Sequence, residues 1–542
     1  VIVFGSRSSD LAMTQTRHVA ELLRAATGCD YRIDSMETVG DKVLERPLAA
    51  IGTKGAFTFE LEDALRAGRI DAAVHSLKDL PVEDPQGLVL GAVPERVDSA
   101  DVLLIRPEAF DPTAGPGVIP LKRGGRLGTS SPRRSLALQV ARPDLQFADI
   151  RGNVGTRVGK VRRGDYDAAV FAAAGLDRLH FDLQGLVRWQ VPAALLPPAP
   201  GQGALAVQCR ADDSRMRAML AKIHDPVAAA CVAAERALLA ALGGGCSLPL
   251  GALATVTPTG CRIHAALFGG SPAAVLRAEA AGADFATVVA ELGRPWQPLI
   301  GAPLQGLDLA LLRADADGGD LAAALAIAGA QVTTIAVTRA AEVAPAPTEF
   351  AAVAAAPALA FASARAVERF AELLRKSGQS LRANHIFAVG PTTAAAARRF
   401  GLPVDTADGS GGKALAAMAA ARLPAGTAIG VPCAMGRNPG FETDATAAGL
   451  RVLALPIYRI ENDPQARFPD RAPHALLFAS PSCVHAFRDS GWRPAGARFC
   501  AIGPTTAEAL RSAGLPVAAA ATSASTAAIL EALTEIHHAR PS

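Results

Sequence analysis

Lysine is scarce in this chain: only eight of its 54 basic residues are Lys, against 46 Arg. The formal net charge is +3, so the large clustered positive excess that a sequence-independent grip on nucleic acid requires is missing. Half of the residues are hydrophobic and 19% are charged, but charges, Pro and Gly interrupt the Ala-rich stretches before about 18 membrane-grade residues accumulate. A membrane-spanning chain is excluded on this pattern, and so is a disordered one. The eight Cys, at 29, 209, 231, 246, 261, 433, 483 and 500, include no C-x-x-C pair. Their scatter argues against a zinc site or other metal centre and against a disulfide framework, and predicts mostly reduced, buried thiols. Val1–Phe4 run straight into Gly5-Ser6-Arg7, with no basic start, apolar run or small-residue cleavage site. A cytoplasmic location is therefore expected, even though the chain does not begin with Met.

What the chain does have is length, since 542 residues are about three to four times a usual domain. Short apolar runs alternate with amphipathic helices, the mark of α/β layering. The run 1–4 precedes a helical stretch with apolar residues at 11, 12, 19, 22, 23 and 26, then a strand over 31–39, a helix over 57–68 closed by Gly, and a strand over 70–74. A second set follows at 126–129, 132–142, 145–150, a helix to Arg163 closed by Gly164, and 167–172. Pro and Gly thicken at LPPAPGQG (196–203), a hinge or crossing point, and a helix over 235–245 opens a smaller region reaching about 304. Beyond 307 the chain repeats itself: FASARAVERF (361–370) recurs as FASPSCVHAF (478–487), and FAVGPTT (387–393) as FCAIGPTT (499–506). A period of roughly 115 residues is too long for a solenoid and predicts duplication of a whole α/β domain.

Arg excess accompanied by Ala, Gly and Pro reads first as codon bias, so position rather than count has to carry meaning. In GTSSPRR (128–134), Ser131 is placed as N-cap, Pro132 at the first helical position, and Arg133 and Arg134 in the first turn. Cations there oppose the helix dipole, and an anion sharing the N–H groups and guanidinium forks would remove the conflict. Arg151 and Arg157 in IRGNVGTR (150–157) repeat the pattern, and Arg178 follows the next strand. Several Arg at the carboxyl ends of neighbouring strands point to a polyanionic, carboxylate- or phosphate-bearing ligand. In VHSLKDLP (74–81), Lys78 and Asp79 end another strand: a carboxylate that can stabilise a cation or move a proton beside a cation that can meet an anion. An ion pair in a surface turn is the plainer alternative, and His75 reads as a structural hydrogen-bonder. Cys246, after three glycines, is the one nucleophile candidate.

Six motifs in register over 1–304 (HSLKDLP, GTSSPRR, RGNVGTR, AAAGLDRL, APGQGALAVQCR and the GGGC loop) closely resemble porphobilinogen deaminase, or hydroxymethylbilane synthase. The repeated half, with its GPTT turns, FAS strands and LPIYR run (455–459), resembles uroporphyrinogen-III synthase. The resemblance implies a fusion of consecutive enzymes of tetrapyrrole (porphyrin and heme) synthesis, a transferase joined to a lyase. The first would join four porphobilinogen units, with loss of ammonia, into hydroxymethylbilane on a dipyrromethane cofactor bound by a thioether to Cys246. Asp79 matches the catalytic aspartate, which would stabilise the azafulvenium cation and help remove the α-proton. Arg7, Ser9, Arg133, Arg134, Arg151, Arg157 and Arg178 match positions that hold carboxylates, with Ser131 in the same motif and Lys54, Lys78 and Gln202 as helpers. At Ala50, in the active-site loop of roughly 41–58, many relatives carry Lys.

The implied fold is α/β throughout. Two lobes like those of periplasmic binding proteins would cover about 1–95 with 195–213, and about 96–194. An α+β third domain would cover about 214–304 and carry the cysteine. Two Rossmann-like lobes would follow, about 307–340 with 460–542 and about 345–455, joined by a two-stranded connector. Between them the bilane would close with inversion of ring D and loss of water, with Tyr458, Thr505 and Thr506 as candidate contacts and an ordinary N-cap as the alternative for each Thr. Expected partners are the two small-molecule substrates, with no nucleic acid and no membrane, and a monomer is the working expectation. Two other functions stay open at this point: an active deaminase with a degenerate or docking second half, and a non-catalytic carboxylate binder, for which Cys246 and Asp79 would have no use.

Overall fold

The computed structural model describes residues 1–37, 58–245, 248–314, 319–399, 404–407, 412–436 and 440–539. Lys54, Cys246 and Ala50 lie outside these residues. The chain divides into two compact units, one of Val1–Leu309, Gly318–Thr333 and Ala519–Ser542, the other of Ala310–Asp317 and Thr334–Ala518.

The first unit is built on three sheets. In the first, the order is Tyr31–Met36, Ile2–Arg7, Ala72–Ser76, Leu205–Arg210, Leu88–Ala92; in the second, Gln146–Ala148, Arg126–Gly128, Ala168–Ala172, Asp101–Ile105, Val187–Gln190. Each sheet has three parallel strands followed by an antiparallel one that enters from the other: Asp101–Ile105 follows the segment 93–100, and Leu205–Arg210 follows 191–204. Strands covered on both faces read as continuous apolar runs, and Asp101–Ile105 is buried at all five positions. The third sheet is antiparallel, Leu250–Thr257, Gly260–Gly269 and Ala274–Gly282, packed by the helices Pro226–Ala241 and Phe285–Trp296. The helix foreseen from 235 therefore begins nine residues earlier, where Asp225 caps it by accepting from the Val227 and Ala228 amides.

In the second unit a six-stranded sheet has the order Thr338–Glu342, Arg451–Asn462, Ala428–Ala434, Ala358–Phe361, His385–Val389, Asp405–Ala407, parallel except for its first pair. Elsewhere in this unit Ala475–Phe478 pairs in parallel with Arg498–Ala501. The sequence repeat is a structural one. Phe361 and Phe370 are 5.8 Å apart between centroids, and their counterparts Phe478 and Phe487 are 5.3 Å apart. Both pairs are tilted or edge-on, the preferred aromatic geometry, and fix the same strand against the same helix in each copy. Seven Cys fall among the described residues; all are free, and only Cys29 is not buried. Among the described residues no helix is long and apolar enough to cross a membrane.

Candidate active site

Parallel strands deliver whatever follows them to one edge of the sheet. In the second sheet the segments after Arg126–Gly128, Gln146–Ala148 and Ala168–Ala172 carry Ser131, Arg133 and Arg134, then Arg151 and Arg157, then Arg178. In the first sheet the segments after Ile2–Arg7 and Ala72–Ser76 carry Ser9 and the pair Lys78–Asp79. These are the carboxyl ends, where open α/β sheets bind ligands.

At the centre is a carboxylate that sequence inspection did not single out. Asp101 is fully buried and accepts from Arg133 Nη2 at 2.8 Å, Arg134 Nε at 3.0 Å, Arg134 Nη2 at 2.6 Å and Gln202 Nε2 at 3.1 Å. The anion expected beside the two first-turn arginines is thus supplied by the chain itself. Both guanidiniums are buried, and Arg133 also donates to the Pro197 carbonyl at 2.7 Å. Ser131 is the N-cap by backbone, but its hydroxyl makes no capping bond. Burial raises the Asp101 carboxyl's pKa, yet Arg133, Arg134 and Lys78 outweigh it and hold the value down to about 2.

The cluster continues to Lys78, whose Nζ donates to Gln202 Oε1 at 3.3 Å. Burial pushes this ammonium down to about 8, against the pull of Asp79 and Asp101. Arg157 packs over the Phe171 ring at 5.1 Å, and its buried Nε has no acceptor among the described residues. Burial, then Arg134, lowers its pKa to about 10, which leaves it a cation at neutral pH. Two buried guanidiniums and the Lys78 ammonium thus bear on one buried carboxylate, with the partly buried Arg157 beside Arg134. Such an excess is costly without an anion, and the orphaned Nε is a donor in want of an acceptor. Carboxylate-bearing groups fit this cluster.

Other expected residues sit around it. Asp79 is exposed, in the turn Leu77–Asp79, and none of the described residues hydrogen-bonds to its carboxylate. Arg178 closes the short helix Ala173–Arg178, rather than following the strand directly, and donates to the Gly203 carbonyl at 2.8 Å. Ser9 caps the helix Asp10–Thr27 by accepting from the Ala12 amide at 3.4 Å. Arg7 ends its strand near His75, and Arg151 is exposed. In the second unit Tyr458 is buried, its hydroxyl 3.2 Å from Ser363 Oγ, the cap of helix Ala364–Ser377. Thr506 is buried and Thr505 exposed in the first turn of Pro504–Ser512, but Gly503 takes the N-cap position, so neither Thr is the cap.

Sequence inspection also passed over Glu235 and Arg236, and here a signal existed: two adjacent charges inside the apolar helix VAAERALLAA, where only partnered charge is tolerated. Glu235, fully buried, meets Arg96 bidentately at 2.7 and 3.0 Å and accepts from the Gly201 and Ala254 amides. The third sheet is thereby tied to both crossing segments.

Comparison with known proteins finds two families along the chain. The family model described as "Porphobilinogen deaminase, dipyromethane cofactor binding domain" matches residues 2–218. That described as "Uroporphyrinogen-III synthase HemD" matches 250–407 and 319–531. Porphobilinogen deaminase of Roseiflexus sp. (strain RS-1) is 46% identical over 254 residues, covering 47% of this chain and 81% of its own. That of Moorella thermoacetica is 48% identical over 260 residues, 48% of this chain and 80% of its own. Among solved structures, a mutant uroporphyrinogen III synthase of the extremely thermophilic bacterium Thermus thermophilus is 20% identical with a TM-score of 0.31, covering 43% of this chain and 100% of its own. The corresponding synthetase of Helicobacter pylori 26695 is 17% identical with a TM-score of 0.32, covering 43% and 99%. The chain belongs to the porphobilinogen deaminase family and carries a uroporphyrinogen-III synthase domain in the same polypeptide.

Proposed function

We propose that the chain is a bifunctional enzyme of tetrapyrrole synthesis. Its first part joins four porphobilinogen units into hydroxymethylbilane, with loss of ammonia. Its second part closes that product, with ring D inverted and water lost, to uroporphyrinogen III. The observation that carries the reading is the excess of cation around buried Asp101, with an Arg157 Nε that lacks an acceptor among the described residues. Porphobilinogen bears an acetate and a propionate, so its oligomers bring the anions this cluster needs.

A dipyrromethane held by a thioether to Cys246 would supply the electron-rich pyrrole carbon on which the chain grows. Arg157 and Lys78 would meet its carboxylates, with Arg133, Arg134 and Ser131 lining the same wall. Arg7, Ser9, Arg151, Arg178 and Gln202, with Lys54, would serve incoming substrate. Asp79, exposed and with no hydrogen bond to its carboxylate among the described residues, would face the cationic carbon left when the amine departs and then take the α-proton. The reading also takes the first two sheets as lobes of a periplasmic-binding-protein type around one cleft, with domain limits near 95, 195, 213 and 304. It takes Tyr458 with Ser363, and Thr505 or Thr506, as contacts for the bilane between Rossmann-like lobes. A cytoplasmic location and a monomer accord with the small-molecule chemistry.

Purified protein incubated with porphobilinogen tests both halves. Uroporphyrinogen mostly of isomer III is expected, and mostly isomer I, the product of spontaneous closure, would remove the synthase activity. Intact mass should show a two-pyrrole adduct that Cys246→Ala abolishes; an adduct that survives the substitution would overturn the cofactor assignment. Asp79→Ala should keep the adduct and lose turnover.

A further inference from the structure

One buried charge is left without a role by this chemistry. Arg236, on the helix Pro226–Ala241, donates from Nη1 to the carbonyls of Leu77 at 3.4 Å and Leu80 at 3.1 Å, and from Nη2 to those of Pro81 at 2.6 Å and Val82 at 3.1 Å. It is 9% exposed, and burial lowers its pKa against the opposing pull of Asp84. A guanidinium that serves only to fill space is a poor choice, because an apolar side chain of similar volume fills it without desolvating a charge. A planar fork with several donors is suited to something else: fixing a curved stretch of backbone at several points at once.

The stretch it fixes is the turn that carries Lys78 and Asp79. The opposite side of that turn rests on the returning crossing segment. Leu77 N donates to the Ala204 carbonyl at 3.1 Å, and Gly201, at φ +76, lies so close that a Cβ would stand 3.2 Å from Leu77 Cγ and 3.4 Å from Lys78 N. Glu235, the residue before Arg236, in turn holds the Gly201 amide at 2.8 Å. Two consecutive side chains of one helix therefore grip both walls of the turn. The same helix ends at Ala241, five residues before the cysteine position.

We propose that Arg236 is a positioning residue for Asp79, setting the place of its carboxylate relative to the helix that leads to Cys246; the inference rests on the role given to Asp79 above. The test is a double-mutant cycle in the full-length, adduct-bearing protein, read as porphobilinogen consumption. Arg236→Gln should lower kcat by about 100-fold, as a misplacement of about 1 Å does, with KM within about threefold and the adduct still present by intact mass. In an Asp79→Glu background, whose carboxylate is already displaced, the same substitution should cost less than about threefold in kcat. Arg236→Lys, which can still serve one or two of the carbonyls, should recover part of the rate.

An Arg236→Gln kcat within about twofold of the parent, or an equal loss in both backgrounds, would overturn the proposal. Should Arg236→Gln not fold, Arg236→Lys is carried through the same cycle. Failure of both to fold would also overturn it, by making Arg236 a folding residue. Failure of the functional reading is seen separately, as a parent protein that does not consume porphobilinogen or an Asp79→Glu variant with parental kcat.

Discussion

Asp101→Asn keeps the shape of the residue at the centre of the site and removes its charge. In the native chain both carboxylate oxygens are in use, one toward Arg133 and the other toward Arg134 and Gln202. An amide would retain one acceptor and turn an N–H donor toward a guanidinium, leaving two buried cations without their anion. Breaking a buried pair in this way costs about 3–5 kcal/mol, whereas an exposed pair is worth under about 1 kcal/mol. Because a multi-domain chain has no single unfolding free energy, the measurement should be local: hydrogen exchange of the amides in Asp101–Ile105 and its neighbour Ala168–Ala172. These should exchange roughly 10²- to 5 × 10³-fold faster in the variant, and strands outside the second sheet should change far less. The carboxyl's folded-state pKa, near 2 against an ordinary 3.8, also sets a sign. The stabilisation is complete above about pH 4 and is lost as pH falls toward about 2. A change below about tenfold in exchange at neutral pH would mean that the triad is worth no more than a surface pair.

Three further outcomes follow from the same geometry. Burial, reinforced by Arg7, holds the His75 imidazole down to about 4, so it should be neutral at pH 7, and its stabilisation should fall as pH drops from about 6.5 to about 4; an NMR titration of the ring near 6.5 would contradict this. Glu235→Gln should unpair Arg96 and loosen the helix Pro226–Ala241 by about 3–5 kcal/mol in its amide exchange, and unchanged protection would refute the role assigned to the pair. Gly203 sits at φ +88, and a Cβ there would lie 2.6 Å from the Val97 carbonyl oxygen. Gly203→Ala should therefore cost about 2 kcal/mol or more, seen as a lower midpoint of thermal unfolding of the first unit, and an unchanged midpoint would argue against the close crossing.

Local regularities were legible in the sequence because their causes are local. Apolar periodicity placed Ile2–Arg7, Pro132–Ala141 and Ala168–Ala172 to within a few residues, since burial on one side selects the spacing. The internal repeat announced paired strand–helix units whose aromatic pairs Phe361–Phe370 and Phe478–Phe487 then proved equivalent. Motif order alone also carried the two family assignments. What the chain order concealed was who neutralises whom. Arg134 finds its carboxylate 33 residues away, Gln202 reaches the same group across 101, and Arg96 meets Glu235 across 139. Pairings of this kind leave no period in the sequence, because Coulomb attraction depends on distance in space and on the dielectric around it. Only the folded chain, by burying these groups together, decided that the first-turn arginines lean on an internal anion and that Arg157 is left seeking one.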